Sequence, residues 1–332
     1  MKFATGMTAI LAALFLTAGS ARAASFDCDK ASGLRETAIC KTDDLSTDDE
    51  IMAALYAGAR ARISADAVKE LRDSQVSWLR FLDKACPQKD VEKQAACLKP
   101  YYRGRLKFLS HTVTEKAGRT FLTLDEWTFI APEKKGEAEM PGANQMQYRE
   151  DVSFAIDKPA SDGERAFNAL VAKQSDLWNG FDGDVQRSTW FTLNEATENF
   201  ASLDIFRWEF HVGAAHGFGA AKHVNYRLDE ARPLQVKDIF AKKDGWQKTL
   251  ARHALDGLHK IVGEDNGLFD GAEETIAKMV GDPKNWVVTR EGLGVNFPVY
   301  SVGPYAMGDH TVTTPWKDLA PWLAKDAVIG AQ

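Results

Sequence analysis

Between Ser46 and Leu109 apolar positions recur at steps of three and four, the period of amphipathic helices. One stripe runs through Ile51, Leu55 and Ala59, and the next through Val68, Leu71, Gln75, Trp78 and Leu82. Two helices are predicted. Ser46-Thr47-Asp48-Asp49 offers capping oxygens and first-turn carboxylates to the first, and Cys86-Pro87 ends the second, because proline cannot extend the hydrogen-bond ladder. A third helix carries Val91, Ala95, Leu98, Tyr102 and Leu109, and a short one lies near Leu34 to Cys40. After Lys116-Ala117-Gly118 the period changes. Arg119 to Ile130 and Met146 to Ile156 read as strands, the second by Tyr148, Val152, Phe154 and Ile156. Ala131 to Ala143, with two prolines and a Lys/Glu cluster, reads as an exposed hairpin loop or connection.

Further along, a helix over Asp162 to Asn179 places Phe167, Leu170, Val171, Gln174, Leu177 and Trp178 on one face. Strands follow at Val185 to Ala196, Ala201 to Val212 and Lys222 to Leu228, then helices at Gly245 to Val262 and Ala272 to Val280. The last strands are predicted at Trp286 to Thr289, Gly294 to Ser301 and His310 to Thr313, before a closing helix with Pro315 at its first position. Grouped strands and helices, without strict alternation, predict an α+β chain: a small helical domain followed by a mixed, largely antiparallel sheet domain packed with helices. The expected divisions are residues 1–23, 24–116 and 117–332.

The first of these is a leader. Ile10 to Leu16 is apolar, follows Lys2 and precedes Ala21-Arg22-Ala23, a pattern too short for a membrane span and right for a signal peptide cut before Ala24. The expected location is periplasmic or secreted, with no lipidation cysteine at the cut and no later span. The 332 residues, 45% hydrophobic and 27% charged, are enough for two buried cores and too apolar for a disordered chain. The balance of 41 basic against 47 acidic residues, with no Lys/Arg block, excludes the electrostatic footprint of a nucleic-acid binder. Loss of Lys2 and Arg22 with the leader makes the mature chain more acidic still than the full chain's −6.

All four cysteines, Cys28, Cys40, Cys86 and Cys97, lie in the first quarter of the chain. In an exported protein an even number reads as two disulfides, with three pairings open. The local pairing would close two short loops, each worth about 3 kcal/mol in the loop-entropy picture, and such staples suit a small helical unit with a limited core. A zinc site would call for close Cys-x-x-Cys pairs, and the sequence has none.

Catalytic signatures are missing: there is no Gly-x-Ser-x-Gly, His-Glu-x-x-His, phosphate loop or dinucleotide glycine fingerprint. No enzyme activity, cofactor or metal is expected. His211, His216 and His223 surround a glycine-rich turn, where His211 and His223 can approach across a hairpin, but no carboxylate completes a metal set, and a histidine in a turn more often bonds backbone. Asp182-Gly183-Asp184 and Asp265 to Asp270 do not follow calcium-loop spacing. Eight of the nine tryptophans fall in the second domain. A surface cluster of them would suit sugar stacking or a protein hot spot, whereas Trp178, Trp208 and Trp246 sit on apolar faces that suit a core. The turn Pro298-Val299-Tyr300-Ser301-Val302-Gly303-Pro304-Tyr305-Ala306-Met307-Gly308 stands apart. Proline-fixed backbone beside tyrosines makes a stiff amphipathic projection with little entropy to lose on binding, which suits protein recognition, or else a plain structural corner.

Residues 26 to 109 resemble the LprI-like lysozyme-inhibitor domain. The matching pieces are Phe26-Asp27-Cys28-Asp29-Lys30-Ala31, Ala38-Ile39-Cys40, Leu45 to Asp49, the helix of Tyr56, Gln75-x-x-Trp78-Leu79-x-x-x-Asp83-x-x-Cys86 and Cys97-Leu98-x-x-x-Tyr102-x-x-Arg105. Residues 145–324 more loosely resemble the C-terminal domain of the anti-sigma factor RsiV and of PdaC-like cell-wall proteins, through Gly213-Ala214-Ala215-His216-Gly217, Leu234 to Phe240 and Phe297 to Gly308. The first resemblance implies the local pairing, Cys28 with Cys40 and Cys86 with Cys97. Both imply lysozyme or a related muramidase as partner, and the expected action is a non-covalent block of its cleft. RsiV spans a membrane and LprI is lipid-anchored, and in this chain neither feature is expected. The contacts expected from the stiff turn are Pro298, Tyr300, Pro304 and Tyr305, then His216 and Gly217. An acidic chain would be steered toward basic lysozymes. The alternatives are a peptidoglycan-binding module using exposed aromatics and a wall-directed hydrolase, the latter marked by paired carboxylates in a deep pocket or by the three histidines converging.

Overall fold

The computed structural model describes residues 24–130, 147–176, 185–211, 214–241, 245–262 and 267–329. The helical unit comprises α1 (Gly33–Cys40), α2 (Asp43–Arg60), α3 (Ala65–Ala85) and α4 (Val91–His111). Ser64 and Asp90 cap α3 and α4 by accepting from the amides of Ala67 and Lys93, donors that a helix start otherwise leaves unpaired. Disulfides join Cys28 to Cys40 and Cys86 to Cys97, the pairing that the family resemblance implies. Leu45, Leu71, Trp78, Phe81, Leu82, Leu98 and Tyr102 fill the interior.

Helix α2 departs from its sequence reading. It begins at Asp43, and Ser46 lies buried inside it and does not cap it. Its buried face runs through Leu45, Asp49, Met52 and Ala59, while Ile51 is 45% exposed. The reason is a carboxylate on the inward face. Asp49 accepts hydrogen bonds from the Ser25 amide (2.9 Å) and hydroxyl and from the Tyr102 hydroxyl (3.3 Å), so its burial is compensated.

Seven strands form one sheet in chain order: β1 (Val113–Lys116), β2 (Arg119–Ile130), β3 (Gln147–Ile156), β4 (Val185–Ala196), β5 (Phe200–His211), β6 (Phe218–Arg227) and β7 (Arg232–Pro233). Every neighbouring pair is antiparallel except β3 with β4, whose connection contains α5 (Asp162–Asp176). Phe167 and Val171 of α5 pack on Phe154, Ile156, Leu203, Ile205, Val224 and Tyr226 of the sheet. Strands β1 and β7 and the first half of β6 carry no strong sequence signal. The first two are four and two residues long, and β6 opens Phe218-Gly219-Ala220-Ala221, too small-sided to read as a strand. Ala131 to Ala143, Leu177, Trp178 and Asp182-Gly183-Asp184 lie outside the described residues.

A further layer contains α6 (Trp246–Val262), α7 (Ala272–Met279), a small antiparallel sheet of β8 (Trp286–Val288), β9 (Gly292–Phe297) and β10 (His310–Pro315), and α8 (Trp316–Leu319). Its core is aromatic: Trp246 stacks on Phe240 and meets Trp286 edge-on, with Phe297 and Trp316 buried nearby. It is tied to the large sheet where Asn225 donates to the Trp286 carbonyl (2.7 Å) and the Val288 amide donates to the Ser202 hydroxyl (3.3 Å).

The helical unit and the large sheet share a core. Leu122 and Leu124 of β2 belong to the same cluster as Leu71, Phe81 and Leu109. Inside it Arg105 pairs with Asp125 at 2.6 Å, both side chains 1% exposed. Asp125 also accepts from the Ser74 hydroxyl and from the Trp127 indole N–H (2.7 Å), and Arg105 Nε donates to Gln75 (2.9 Å). Burial, helped by the Asp125 charge, pushes the carboxyl of neighbouring Glu150 up to about 7, against the bond from Ser188 and the Arg105 charge.

Candidate functional site

The turn between β9 and β10 projects from buried anchors. Phe297 and Val302 are 1% and 2% exposed, and the Phe269 amide donates to the Val302 carbonyl at 2.9 Å. Between them the chain turns tightly: the Ser301 amide (3.0 Å) and hydroxyl (2.6 Å) both donate to the Pro298 carbonyl. Tyr300, at the tip, has φ +65° and is 60% exposed. A side chain in the left-handed region is held there by its surroundings at a conformational cost, a pattern that collects at binding sites. A short 3₁₀ turn at Tyr305–Met307 follows Pro304, and Gly308, at φ +85°, ends it.

Tyr305 joins this corner to the β5–β6 turn. Its hydroxyl donates to the Gly217 carbonyl (2.8 Å), its ring lies over the exposed His216 imidazole at 4.5 Å, and the Tyr300 ring tilts against it at 5.6 Å. Gly217 is required by packing: a Cβ there would stand 2.5 Å from the Trp208 ring. The structure therefore brings Tyr300, Tyr305, His216 and Gly217 into one aromatic cluster. Pro298 and Pro304 stiffen it and do not enter the stack. The exposed ring and its rigid mounting suit insertion into a partner's groove.

Beneath the corner lies a polar chain that sequence reading did not pick out. His223 Nδ1 bonds Asp204 at 2.6 Å, and Asn296 donates to Asp309 and to the Thr311 hydroxyl (3.2 Å). Burial disfavours charge on His223, yet the Asp204 bond and charge, with Asn296 and Asp309, outweigh it and hold its pKa above the usual histidine value. Burial likewise raises Asp309 above the ordinary carboxylate range. Only His223 gave a hint in the sequence, and its partners sit 19 to 86 positions away, where local spacing is silent.

The three histidines take separate partners: His223 binds Asp204, His216 stacks on Tyr305, and His211 lies 3.8 Å from Glu209. Among the described residues no group of three or more His, Cys, Asp or Glu side chains is gathered as a metal site would need. The tryptophans divide. Trp246, Trp286 and Trp316 are core, while Trp190 is 47% exposed beside Phe206 at 5.4 Å.

Comparison with known families assigns the two ends of the chain. Residues 28–109 match the family described as Lysozyme inhibitor LprI, and residues 237–317 match the one described as Protein of unknown function (DUF3298). The chain thus carries an LprI domain followed by a DUF3298 domain. The tyrosine turn lies within the DUF3298 match, and His216 and Gly217 lie before it. A member of the DUF3298 family from Bacteroides fragilis NCTC 9343 aligns at TM-score 0.45 and 18% identity over 64% of this chain and 96% of that one. A DUF3298 family protein from Pseudomonas aeruginosa PAO1 aligns at TM-score 0.42 and 15% identity over 64% of this chain and 97% of that one. No curated protein matches. The inhibitor family and the two disulfides fit an extracellular or periplasmic protein. No helix among the described residues is long and apolar enough to cross a membrane.

Proposed function

We propose that this protein binds lysozyme or a related muramidase in the periplasm, or outside the cell, and inhibits it by non-covalent obstruction of the substrate cleft. The LprI match carries this reading. The cluster of Tyr300, Tyr305 and His216 supports it with a stiff, exposed aromatic projection of the kind that fills a groove with little loss of entropy. The acidic balance of the chain, −6 overall, favours encounter with a basic enzyme and makes that encounter sensitive to salt. No step of this reading needs a nucleophile or a metal. It is tested by titrating the purified mature protein against basic lysozymes in a cell-wall lysis assay. Dose-dependent protection of the wall with a stable complex on gel filtration is expected. Unchanged lysis and no complex at micromolar protein would contradict the reading, and retention on purified sacculi in that case would favour a peptidoglycan-binding role.

A further inference from the structure

The helical unit contains a cavity of about 280 Å³ between the start of α1 (Ser32 to Glu36), the end of α3 with the following turn (Asp83, Cys86, Pro87, Gln88) and Gln94 of α4. We propose that this cavity is a socket for a lysine or arginine side chain of a basic protein partner. The inference rests on the reading that the partner is a lysozyme, and it assigns to the LprI domain a contact of its own, far along the chain from the tyrosine corner.

Three features point to such an occupant. The first is an unused polar group. Gln94 is 4% exposed, yet its carboxamide makes no hydrogen bond to any described residue, and it borders the cavity. Its amide atoms are not sealed from solvent, so they stand open to a group that enters the cavity. The second is charge. Glu36 and Asp83 line the opening, Glu36 held by the Ser32 amide and Asp83 by Arg35, which also donates to the Leu79 carbonyl at 3.1 Å. Around them the segment from Asp27 to Glu50 carries eight carboxylates against three basic side chains. Arg35, itself part of the lining, pairs with Asp83, so the lining keeps an excess of one carboxylate, and an entering ammonium or guanidinium meets Glu36 and the Gln94 carboxamide. The third is shape and stiffness. Leu34, Pro87 and the Cys86 disulfide offer apolar surface for the methylene stem of a long cationic side chain. The two disulfides close the loops on either side, so the socket is preformed.

The test measures binding of the mature protein to hen egg-white lysozyme by calorimetry, with Gln94→Leu and Glu36→Gln, both of which keep the local volume. Circular dichroism checks that each variant folds. Each is expected to weaken the complex about tenfold, with the Glu36→Gln effect shrinking as salt rises. Hydrogen exchange should show protection of residues 32–36 and 86–94 in the wild-type complex. A complex that forms but is indifferent to both variants and leaves these segments unprotected removes the socket and leaves the inhibitor reading intact. Absence of any complex with the wild-type chain removes that reading, and the socket's occupant with it.

Discussion

At φ +65° Tyr300 adopts a conformation that glycine accepts freely and a tyrosine does not, and the residue is 60% exposed. Strain of this kind costs on the order of 1 kcal/mol, against which the extra unfolded-state freedom of glycine weighs nearly as much. Tyr300→Gly is therefore expected to leave the thermal midpoint within a few degrees of wild type while weakening lysozyme binding at least tenfold. Loss of stability together with binding would show that the ring is structural. Glu150 gives a second residue-level prediction. Its folded pKa is raised from 4.5 to about 7, so its favourable contribution is present below the unfolded value and is lost as pH rises toward and through the folded one. Glu150→Gln, which fixes the neutral form, should match wild type near pH 4.5 and exceed it at pH 8 by up to about 3 kcal/mol in denaturant titrations. Equal curves at both pH values would mean that the carboxyl is not held out of water. Much of the candidate site was legible at this scale, since prolines flanking tyrosines mark a stiff projection in any sequence. The contact of Tyr305 with Gly217 was not, because it spans 88 positions and only folding brings them together.

Helix positions were readable wherever the inward face was apolar. Strands β2 and β4 fall where their patterns place them, and so do the bodies of α3, α4 and α6. Helix α2 misled because Asp49 occupies its inward face and is satisfied by Ser25 and Tyr102, so Ile51 is left outside. Hydrophobic periodicity cannot see a buried carboxylate with partners. The first half of β6 was hidden for the opposite reason: its small residues lie beneath large ones from β5, and a Cβ on Gly219 would stand 2.5 Å from the Phe206 ring. The staples act at the same scale. Cys86 and Cys97 are 11 positions apart and close the turn between α3 and α4. Replacing both by serine should cost about 3 kcal/mol of unfolding free energy, read from chemical denaturation. A cost near zero would mean that helix packing alone fixes this turn. The same variant would disorder one wall of the Gln94 cavity, so its binding loss should resemble that of Gln94→Leu.

The whole molecule depends on the buried joint between the helical unit and the large sheet, where Arg105 of α4 meets Asp125 of β2. Removing one member of such a pair leaves the other charged and unpaired in the interior, which costs about 3–5 kcal/mol. Arg105→Met is expected to lower stability by that amount and to uncouple the helical unit, seen as faster hydrogen exchange in α3 and α4 ahead of the sheet. Uniform loss of protection across the chain would instead mean that the two parts unfold together. Through this joint the helical unit shares a core with the sheet that bears the His216 turn, so the two proposed contacts would act together on one partner. The central claim is that the bound lysozyme cleft is occupied. The most direct measurement is calorimetric titration of the mature protein into lysozyme with and without saturating tri-N-acetylchitotriose, which fills the cleft. Competition, with apparent affinity falling at least tenfold in the presence of the sugar, is the predicted result. A complex of unchanged affinity on sugar-filled lysozyme would contradict it.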